Sequence, residues 1–292
     1  ILRGLMKYFY VISNLSKDYV LDVQDEVQSC LEKRGAVCRY MTDYERMKNG
    51  RHTPGEYVPE DTQCIITIGG DGTLIQAARD LAGRNIPMLG INRGHLGFLN
   101  QVDRTEDIDA AMDALVNERF RLEHRMMLRG TVFHEGKPVF QDIALNEIIA
   151  TSAEHLRVLR YDLAVNDEYL NEYAADGVMV ATPTGSTAYN LSAGGPVMAP
   201  NIHAMVVTPI CAHSLNKRSL VLDGSDRITL EIGQTKDVTK DLAVLIADGR
   251  NVGDLQTGDV LEIQVPKADT KIIKLSGMDF YEKMREKLNG EV

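Results

Sequence analysis

The stretch IITIGGDGTLIQAARDL, residues 65–81, places the strictest limit on how this chain can fold. A β-branched apolar run leads into a glycine turn, and helix-forming residues with helical apolar spacing follow the turn. A glycine turn between a parallel strand and a helix presents free backbone N–H groups beside the positive end of the helix dipole, which suits an anion. We therefore expect the turn to bind phosphate.

The turn also carries a carboxylate, Asp71, and no lysine. It therefore matches neither G-x-x-x-x-G-K-[ST] nor G-x-G-x-x-G, and its phosphate donors would be backbone groups. A carboxylate beside phosphate is unfavourable unless it faces a hydroxyl group as a base, or a magnesium ion. Taken alone, the turn supports a purely structural role for Asp71, as a turn residue or helix N-cap, as well as it supports a functional role. The predicted phosphate-binding residues are Gly69, Gly70, Gly72 and Thr73.

The first 123 residues alternate between strand and helix patterns. Apolar strands are predicted at 8–13, 36–41, 64–68 and 86–92, and a polar loop at 43–61. Helical stripes lie between or after them, and Asp103 with Glu106 resembles a capping box. This alternation predicts an α/β domain with a parallel, doubly wound sheet. The stripes consist of Val20, Val23, Val27 and Leu31, and of Ile108, Ala111, Met112 and Leu115.

Residues 124–276 change to short strands separated by turn residues. Glu135-Gly136 and Asn166-Asp167 are predicted hairpin turns, and Asp248 is predicted to lie in a further turn. The pattern predicts a β-rich, sandwich-like carboxy-terminal domain. The last segment, 277–292, returns to helical composition and could cover either domain.

Composition limits the partners and the compartment. A net charge of −10 argues against a nucleic-acid surface, and no apolar run reaches the roughly 18–20 residues of a membrane span. Cys30, Cys38, Cys64 and Cys211 are scattered, without metal-ligand spacing, so that a reducing cytoplasm is expected. Met6 is a candidate translation start, which would put the first five residues upstream of it.

Three further stretches are candidates for ligand binding. Residues 175–196 are rich in hydroxyl groups and glycine directly after an apolar strand, although a surface loop has the same composition. Residues 91–102 contain Arg93 and Phe98 and follow a strand of the first domain, where ligands bind in open α/β sheets. Asn146 and Glu147 lie between apolar residues, so they either bond the backbone or reach a ligand.

Together, GGDGT (69–73), NRGHLGFL (92–99), NE (146–147) and DGVMVATPTGSTAYNLSAGGP (176–196) resemble the NAD kinase family. The resemblance spans about residues 6–285. It implies an α/β amino-terminal domain and a β-rich carboxy-terminal domain with the substrate between them. It also implies homodimers or homotetramers, and a terminal segment (277–292) that packs back on the first domain.

The resemblance implies that Asp71 acts on the 2′-hydroxyl of the adenosine ribose of NAD, as base or orienting group, to give NADP. The glycines and Thr73 would hold phosphate, Phe98 would flank adenine, and Asp176 would fix the nicotinamide end. A divalent metal, by this resemblance Mg²⁺, would arrive with the donor, ATP or polyphosphate, and no protein ligand to it is predicted. The implied NAD-binding residues are Gly72, Phe98, Asn146, Glu147, Asp176, Thr184, Thr187, Ala188, Tyr189 and Ser192.

Other functions share parts of this pattern. Diacylglycerol-kinase-like lipid kinases contain GGDGT, but commonly have a glutamate shortly after it, where this chain has Leu74-Ile75-Gln76. A phosphofructokinase-like enzyme shares only the turn. A noncatalytic dinucleotide sensor would gain by losing the negative charge of Asp71 near phosphate.

The choice between ATP and polyphosphate, and the use of NADH, stay open. His213 and the cationic residues Arg93, Arg157, Arg160, Lys217 and Arg218 are expected to be structural or surface residues.

Overall fold

The computed structural model describes residues 5–16, 18–41, 52–93, 97–102, 105–153, 158–213, 217–233, 242–275 and 280–289. The chain forms two compact units. The first unit combines Ile1–His124 with Asp269–Val292, and the second unit is Arg125–Ala268. Several predicted features lie outside the described residues, namely 43–51 of the predicted loop, residues 94–96, Asp103, Arg157, 276–279 and 290–292.

The first unit is built on one six-stranded sheet, in the order β2-β1-β3-β4-β18-β5. β1 pairs with β2 and β3, and β4 with β3 and β18, all in parallel. The parallel-sheet domain predicted from the sequence is therefore confirmed. Its strands are β1 (Tyr8–Ser13), β2 (Val37–Tyr40), β3 (Cys64–Ile68), β4 (Met88–Ile91), β5 (Arg121–Arg125) and β18 (Thr270–Lys274).

Apolar stripes bind the helices to this sheet, as the 3.6-residue spacing predicts. Val20, Val23, Val27 and Leu31 of the first helix are at most 2% exposed and share one core with the stripe of the third helix. Gly35, with φ +72°, follows the first helix in the left-handed conformation that glycine tolerates. The helices are α1 (Val20–Glu32), α2 (Asp71–Asp80), α3 (Ile108–Val116) and α5 (Phe280–Leu288).

The predicted domain limit at residue 276 differs from the structure. β18 lies beside β4 in the first unit, where Ile272 pairs with Met88 and Ile273 is fully buried in that unit's core. A short apolar strand does not reveal in its own sequence which sheet it joins, since the partner is set by pairing far along the chain.

The second unit consists of two six-stranded antiparallel sheets, and buried residues of both sheets form a shared hydrophobic core. The first sheet has the order β10-β9-β14-β17-β6-β7 and the second the order β13-β12-β11-β8-β15-β16. The predicted β-rich domain is confirmed. Its strands are β6 (Leu128–His134), β7 (Lys137–Ala144), β8 (Glu147–Ser152), β9 (Leu159–Val165), β10 (Glu168–Ala175), β11 (Gly177–Ala181), β12 (Ala204–Ile210), β13 (Leu220–Asp223), β14 (Ile228–Gly233), β15 (Leu242–Ala247), β16 (Arg250–Gln256) and β17 (Val260–Gln264), and a short helix α4 (Tyr189–Ser192) follows β11.

Both predicted hairpin turns are present. Glu135 and Gly136 have φ of +48° and +74°, and Asn166 and Asp167 have φ of +51° and +70°. In contrast, β12, an inner strand that contains Pro209 opposite Val178, was not predicted from the sequence. Proline cannot donate to a ladder and normally argues against an inner strand.

No helix in the described part of the chain is long and apolar enough to cross a membrane.

The packing of α3 generates a stability prediction. Leu115 is 0% exposed, whereas Leu21 of α1 is 56% exposed. Truncation of a buried leucine removes transfer free energy and leaves a cavity, so we expect Leu115→Ala to lower the free energy of unfolding by about 2–5 kcal/mol. Leu21→Ala, the matched control, should cost about 0.5 kcal/mol or less. Equal losses in urea titrations of the two variants would contradict the assigned core.

Candidate active site

The glycine turn has a backbone that requires glycine. Gly69 has φ +152°, and a Cβ there would lie 2.3 Å from Thr73 Oγ1. Gly70 is the extended N-cap of α2, and Asp71 is the first helical residue. The first turn of a helix leaves N–H groups without partners inside the helix, at the positive end of its dipole. The predicted strand, glycine turn and helix are therefore present, with the geometry of an anion site.

Asp71 holds the segment that follows β4. Its Oδ2 accepts a hydrogen bond from the Phe98 N–H at 2.8 Å, and its Oδ1 accepts one from Asn100 Nδ2 at 2.7 Å. Longer bonds come from the N–H groups of Leu99 and Asn100, at 3.3–3.4 Å. Gly97 makes room for the carboxylate, since a Cβ there would lie 2.0 Å from Oδ1. A carboxylate has about four lone-pair sites, and four N–H donors share them here, two through short bonds and two through longer ones.

A cavity of about 410 Å³ lies beside the turn, at the carboxyl ends of β1 and β3. The sheet order reverses at this point, since β1 is followed along the chain by β2 on one side and then by β3 on the other. Open α/β sheets bind ligands at such switch points, and typical ligand pockets measure about 300–1,000 Å³. Gly70, Gly72 and Thr73 line it, with Val11–Ser16, Met41, His52, Thr53, Gln76 and Ala77.

One wall of this cavity is fixed by the last residue of α2, Asp80. Its carboxylate accepts hydrogen bonds from the Thr53 N–H at 2.7 Å and from Gln76 Nε2 at 2.7 Å. His52 Nδ1 lies 3.1 Å from the same carboxylate. The contacts hold residues 52–53 against α2 and give the cavity a formed wall.

In the second unit, Asn146 and Glu147 are held by Asp248, a residue in the β15–β16 turn. The Asp248 carboxylate accepts hydrogen bonds from the N–H groups of Leu145, Asn146 and Glu147, at 2.8, 2.7 and 3.2 Å. The Asp248 N–H donates back to the Glu147 carbonyl at 3.1 Å. The predicted turn is present, with φ +48° at Asp248, and its side chain fixes the Asn146–Glu147 backbone.

Glu147 is only 5% exposed, and its Oε2 has no hydrogen-bond partner among the described residues. Burial, and then the neighbouring charge of Asp248, raise the pKa of Glu147 to about 8. A buried acceptor without a partner carries a desolvation penalty that a ligand hydroxyl or amide can remove. Glu147 could therefore bind a polar ligand, and its raised pKa favours the protonated carboxyl, which can donate a hydrogen bond.

The hydroxyl-rich loop after β11 is packed directly on Asn146. Thr182 donates its N–H to the Asn146 carbonyl at 2.8 Å and its Oγ1 to the Leu145 carbonyl at 2.7 Å. Gly185 is required at this contact, since a Cβ would lie 2.2 Å from the Asn146 carbonyl oxygen. The buried Arg125 donates to Thr184 Oγ1 at 3.2 Å. This arrangement brings Asn146, Glu147 and Thr184 into one cluster.

Other predicted residues lie around or away from this cluster. Thr187 and Ala188 are half-buried, whereas Ser192 is exposed and Tyr189 is 46% exposed. Asp176 lies at the opposite end of β11 from Thr182, about 20 Å away at about 3.3 Å per residue. The structure therefore does not bring Asp176 and the Asn146 cluster of the same chain together.

Sequence reasoning missed several residues of these sites. Asn14 and Ser16 line the cavity, and they could have been found by applying the switch-point rule to β1 as well as to β3. Asn100, Arg125 and Asp248 act through contacts with residues far along the chain, which no local pattern marks. Arg93 and Arg160 line no part of this cavity, and Arg160 pairs with Glu172 on the neighbouring strand β10.

The chain matches two family models, the ATP-NAD kinase N-terminal domain over residues 9–120 and the ATP-NAD kinase C-terminal domain over residues 145–275. The NAD kinase of Lachnospira eligens is 37% identical over 294 residues, covering 97% of this chain and 100% of the relative. The chain belongs to the NAD kinase family. The NAD kinase of Lachnoclostridium phytofermentans is also 37% identical, over 284 residues that cover 97% of this chain and 99% of the relative.

Solved NAD kinase structures have the same fold. The yeast NADH kinase complexed with NADH has a TM-score of 0.86 at 24% identity and covers 99% of this chain and 89% of its own. The Archaeoglobus fulgidus NAD kinase in complex with ATP has a TM-score of 0.74 at 20% identity and covers 96% and 97%. The resemblance read from the four motifs is confirmed, and the match to NAD kinase favours neither a lipid kinase nor a binding-only sensor.

The raised pKa of Glu147 gives a pH dependence of stability. In the unfolded chain the carboxyl titrates near 4.5, and in the folded protein near 8, so the folded state binds the extra proton between these values. Stability from this group is complete below about pH 4.5 and is lost as the pH rises through about 8. We expect the melting temperature of Glu147→Gln to rise relative to the wild type between pH 5.5 and 8.5.

Glu168→Gln, at an exposed position where β10 begins, is the matched control and should follow the wild type at every pH. A constant difference between Glu147→Gln and the wild type across this range would contradict the assignment.

Proposed function

We propose that this chain transfers a phosphoryl group to the 2′-hydroxyl of the adenosine ribose of NAD, giving NADP, with ATP or polyphosphate as donor. The observation that carries the proposal is Asp71, a carboxylate fixed by short hydrogen bonds at the positive end of α2. Beside it, Gly70, Gly72 and Thr73 line a cavity of nucleotide size. Family membership supports ATP and NAD as the substrates.

In the proposed step, the ribose 2′-oxygen attacks the terminal phosphorus of the donor, and the bond from that phosphorus to the bridging oxygen breaks. Asp71 orients the hydroxyl group and accepts its proton, and with ATP as donor ADP leaves. Phosphoryl transfer depends mainly on positioning and charge stabilisation. The proposed roles follow from that: Gly69, Gly70, Gly72 and Thr73 would hold donor phosphate with backbone N–H groups and a hydroxyl.

We assign the divalent metal to the donor phosphates. Mg²⁺ prefers oxygen ligands and commonly keeps several waters beside one or two phosphates. Among the described residues no group of three histidine, cysteine or acidic side chains could hold a metal ion. Such an ion would neutralise charge that develops on the transferred group.

NAD would bind through the remaining candidates. The Asn146 amide is suited to ribose hydroxyls and amide groups, and so is Glu147, whose Oε2 has no hydrogen-bond partner in the described part of the chain. Thr184, Thr187, Ala188, Tyr189 and Ser192 would line the pocket, together with Gly72. Phe98 would flank adenine, and its half-buried ring lies 5.9 Å from the ring of Phe280.

We also propose that the chain works as a homodimer or homotetramer. Support comes from the exposed apolar side chains near α4 and β13, among them Leu191, Ile202 and Val221 at 43%, 47% and 56% exposure. The position of Asp176, at the far end of β11, fits a role in the pocket of a neighbouring subunit.

The direct test incubates the protein with NAD, ATP and Mg²⁺ and measures NADP, with polyphosphate and NADH in parallel reactions. Asp71→Asn keeps the shape of the side chain but removes the base, so we expect turnover to fall about 10²–10⁴-fold. NAD binding, measured by calorimetry, should change little.

Asp22→Asn is the matched control, because Asp22 also lies in the first turn of a helix, α1, and is exposed. It should keep wild-type turnover. If Asp71→Asn also keeps wild-type turnover, Asp71 is not the base; if the wild type forms no NADP from any donor, the proposed activity is wrong.

A further inference from the structure

Helix α5 contacts the segment that holds Asp71. Lys283 of α5 is 4% exposed, and its Nζ donates a hydrogen bond to the Asn100 carbonyl oxygen at 2.5 Å. Asn100 in turn donates its side-chain Nδ2 and its backbone N–H to Asp71, at 2.7 and 3.3 Å. One residue therefore connects the ammonium group of α5 to the carboxylate of the glycine turn.

The other short bond to Asp71 comes from a residue that α5 also contacts. The Phe98 N–H donates to Asp71 Oδ2 at 2.8 Å. The Phe98 ring lies 5.9 Å from the ring of Phe280, and Lys287 Nζ lies 4.5 Å from its centroid. Both residues that make short hydrogen bonds to Asp71, Phe98 and Asn100, are therefore held by α5.

An ammonium group is not needed to pack this helix. Burying a charge carries a desolvation cost that an apolar side chain of similar volume would avoid. The charge does give a strong, directional hydrogen bond to the Asn100 carbonyl. That bond fixes the position of Asn100 and of the donors on either side of it, which set the direction of the Asp71 carboxylate.

We propose that Lys283 is a positioning residue for phosphoryl transfer, which acts through Asn100 on the orientation of Asp71. This inference rests on the proposed role of Asp71. In this proposal Lys283 affects the reaction only through Asn100 and Asp71. Its loss should therefore lower the rate of the chemical step and leave NAD binding unchanged, because a misplaced base affects the transition state more than the bound ground state.

The test compares Lys283→Met with Arg285→Met in the full chain. Arg285 is an exposed cation on the same helix, so the control removes the same charge. NADP formation is normalised to the number of NAD sites found by calorimetry, so that only folded protein counts. We expect kcat of Lys283→Met to fall about tenfold or more with KM for NAD within about twofold, and Arg285→Met to match the wild type.

A double-mutant cycle separates positioning from general support of the fold. If Lys283 acts through Asp71, Lys283→Met should cause no further loss of kcat in the Asp71→Asn background. An equal loss in both backgrounds would overturn the inference. Lys283→Gln, which keeps a polar end, is measured in the same way, so the test holds if Lys283→Met folds poorly.

Different results would contradict the role of Lys283 and the proposed function. If kcat of Lys283→Met and Lys283→Gln stays within about twofold of the wild type while Asp71→Asn is inactive, Lys283 is not a positioning residue and the proposed function stands. If Asp71→Asn is fully active, or the wild type forms no NADP, the proposed function itself is wrong.

Discussion

The hydrogen bonds between the Asp71 carboxylate and residues 98–100 are the interaction on which the first unit's site depends. They join the start of α2, which follows β3, to the segment that follows β4. The bonds turn the carboxylate of a residue at the positive end of a helix into a fixed acceptor. They also explain why an acidic residue occurs in a turn that suits anions. Its charge is satisfied by N–H donors, while the glycines beside it remain available to phosphate.

The second unit contains the same type of interaction, a turn carboxylate that accepts hydrogen bonds from consecutive backbone N–H groups. The Asp248 carboxylate accepts hydrogen bonds from three consecutive N–H groups, those of Leu145, Asn146 and Glu147, just as Asp71 accepts them from residues 98–100. In each unit a carboxylate in a turn gives a fixed conformation to a neighbouring segment. Consecutive N–H groups that converge on one carboxylate hold backbone more firmly than a single bond, since charge-assisted bonds are the stronger ones. In the second unit, burial and then the charge of Asp248 raise the pKa of Glu147, whose Oε2 has no hydrogen-bond partner among the described residues.

The sequence predicted the elements whose signals are local. The strand, glycine turn and helix around Asp71 follow from residues within 17 positions of one another, and hairpins at Glu135-Gly136 and Asn166-Asp167 follow from turn chemistry. What the sequence did not show depends on pairing at long range. β18 joins the first unit although it follows the second unit in the chain, and Lys283 meets Asn100 across 183 residues. β12 was not predicted, and its Pro209 departs from the usual composition of an inner strand.

The central claim, that Asp71 holds residues 98–100 in place, is tested most directly by amide hydrogen exchange. In the wild type the N–H groups of Phe98, Leu99 and Asn100 should exchange slowly, because the carboxylate accepts them. In Asp71→Ala we expect their exchange to become at least about tenfold faster, while the amides of α2 beyond its first turn keep their protection. Unchanged protection of all three amides in Asp71→Ala would contradict the account.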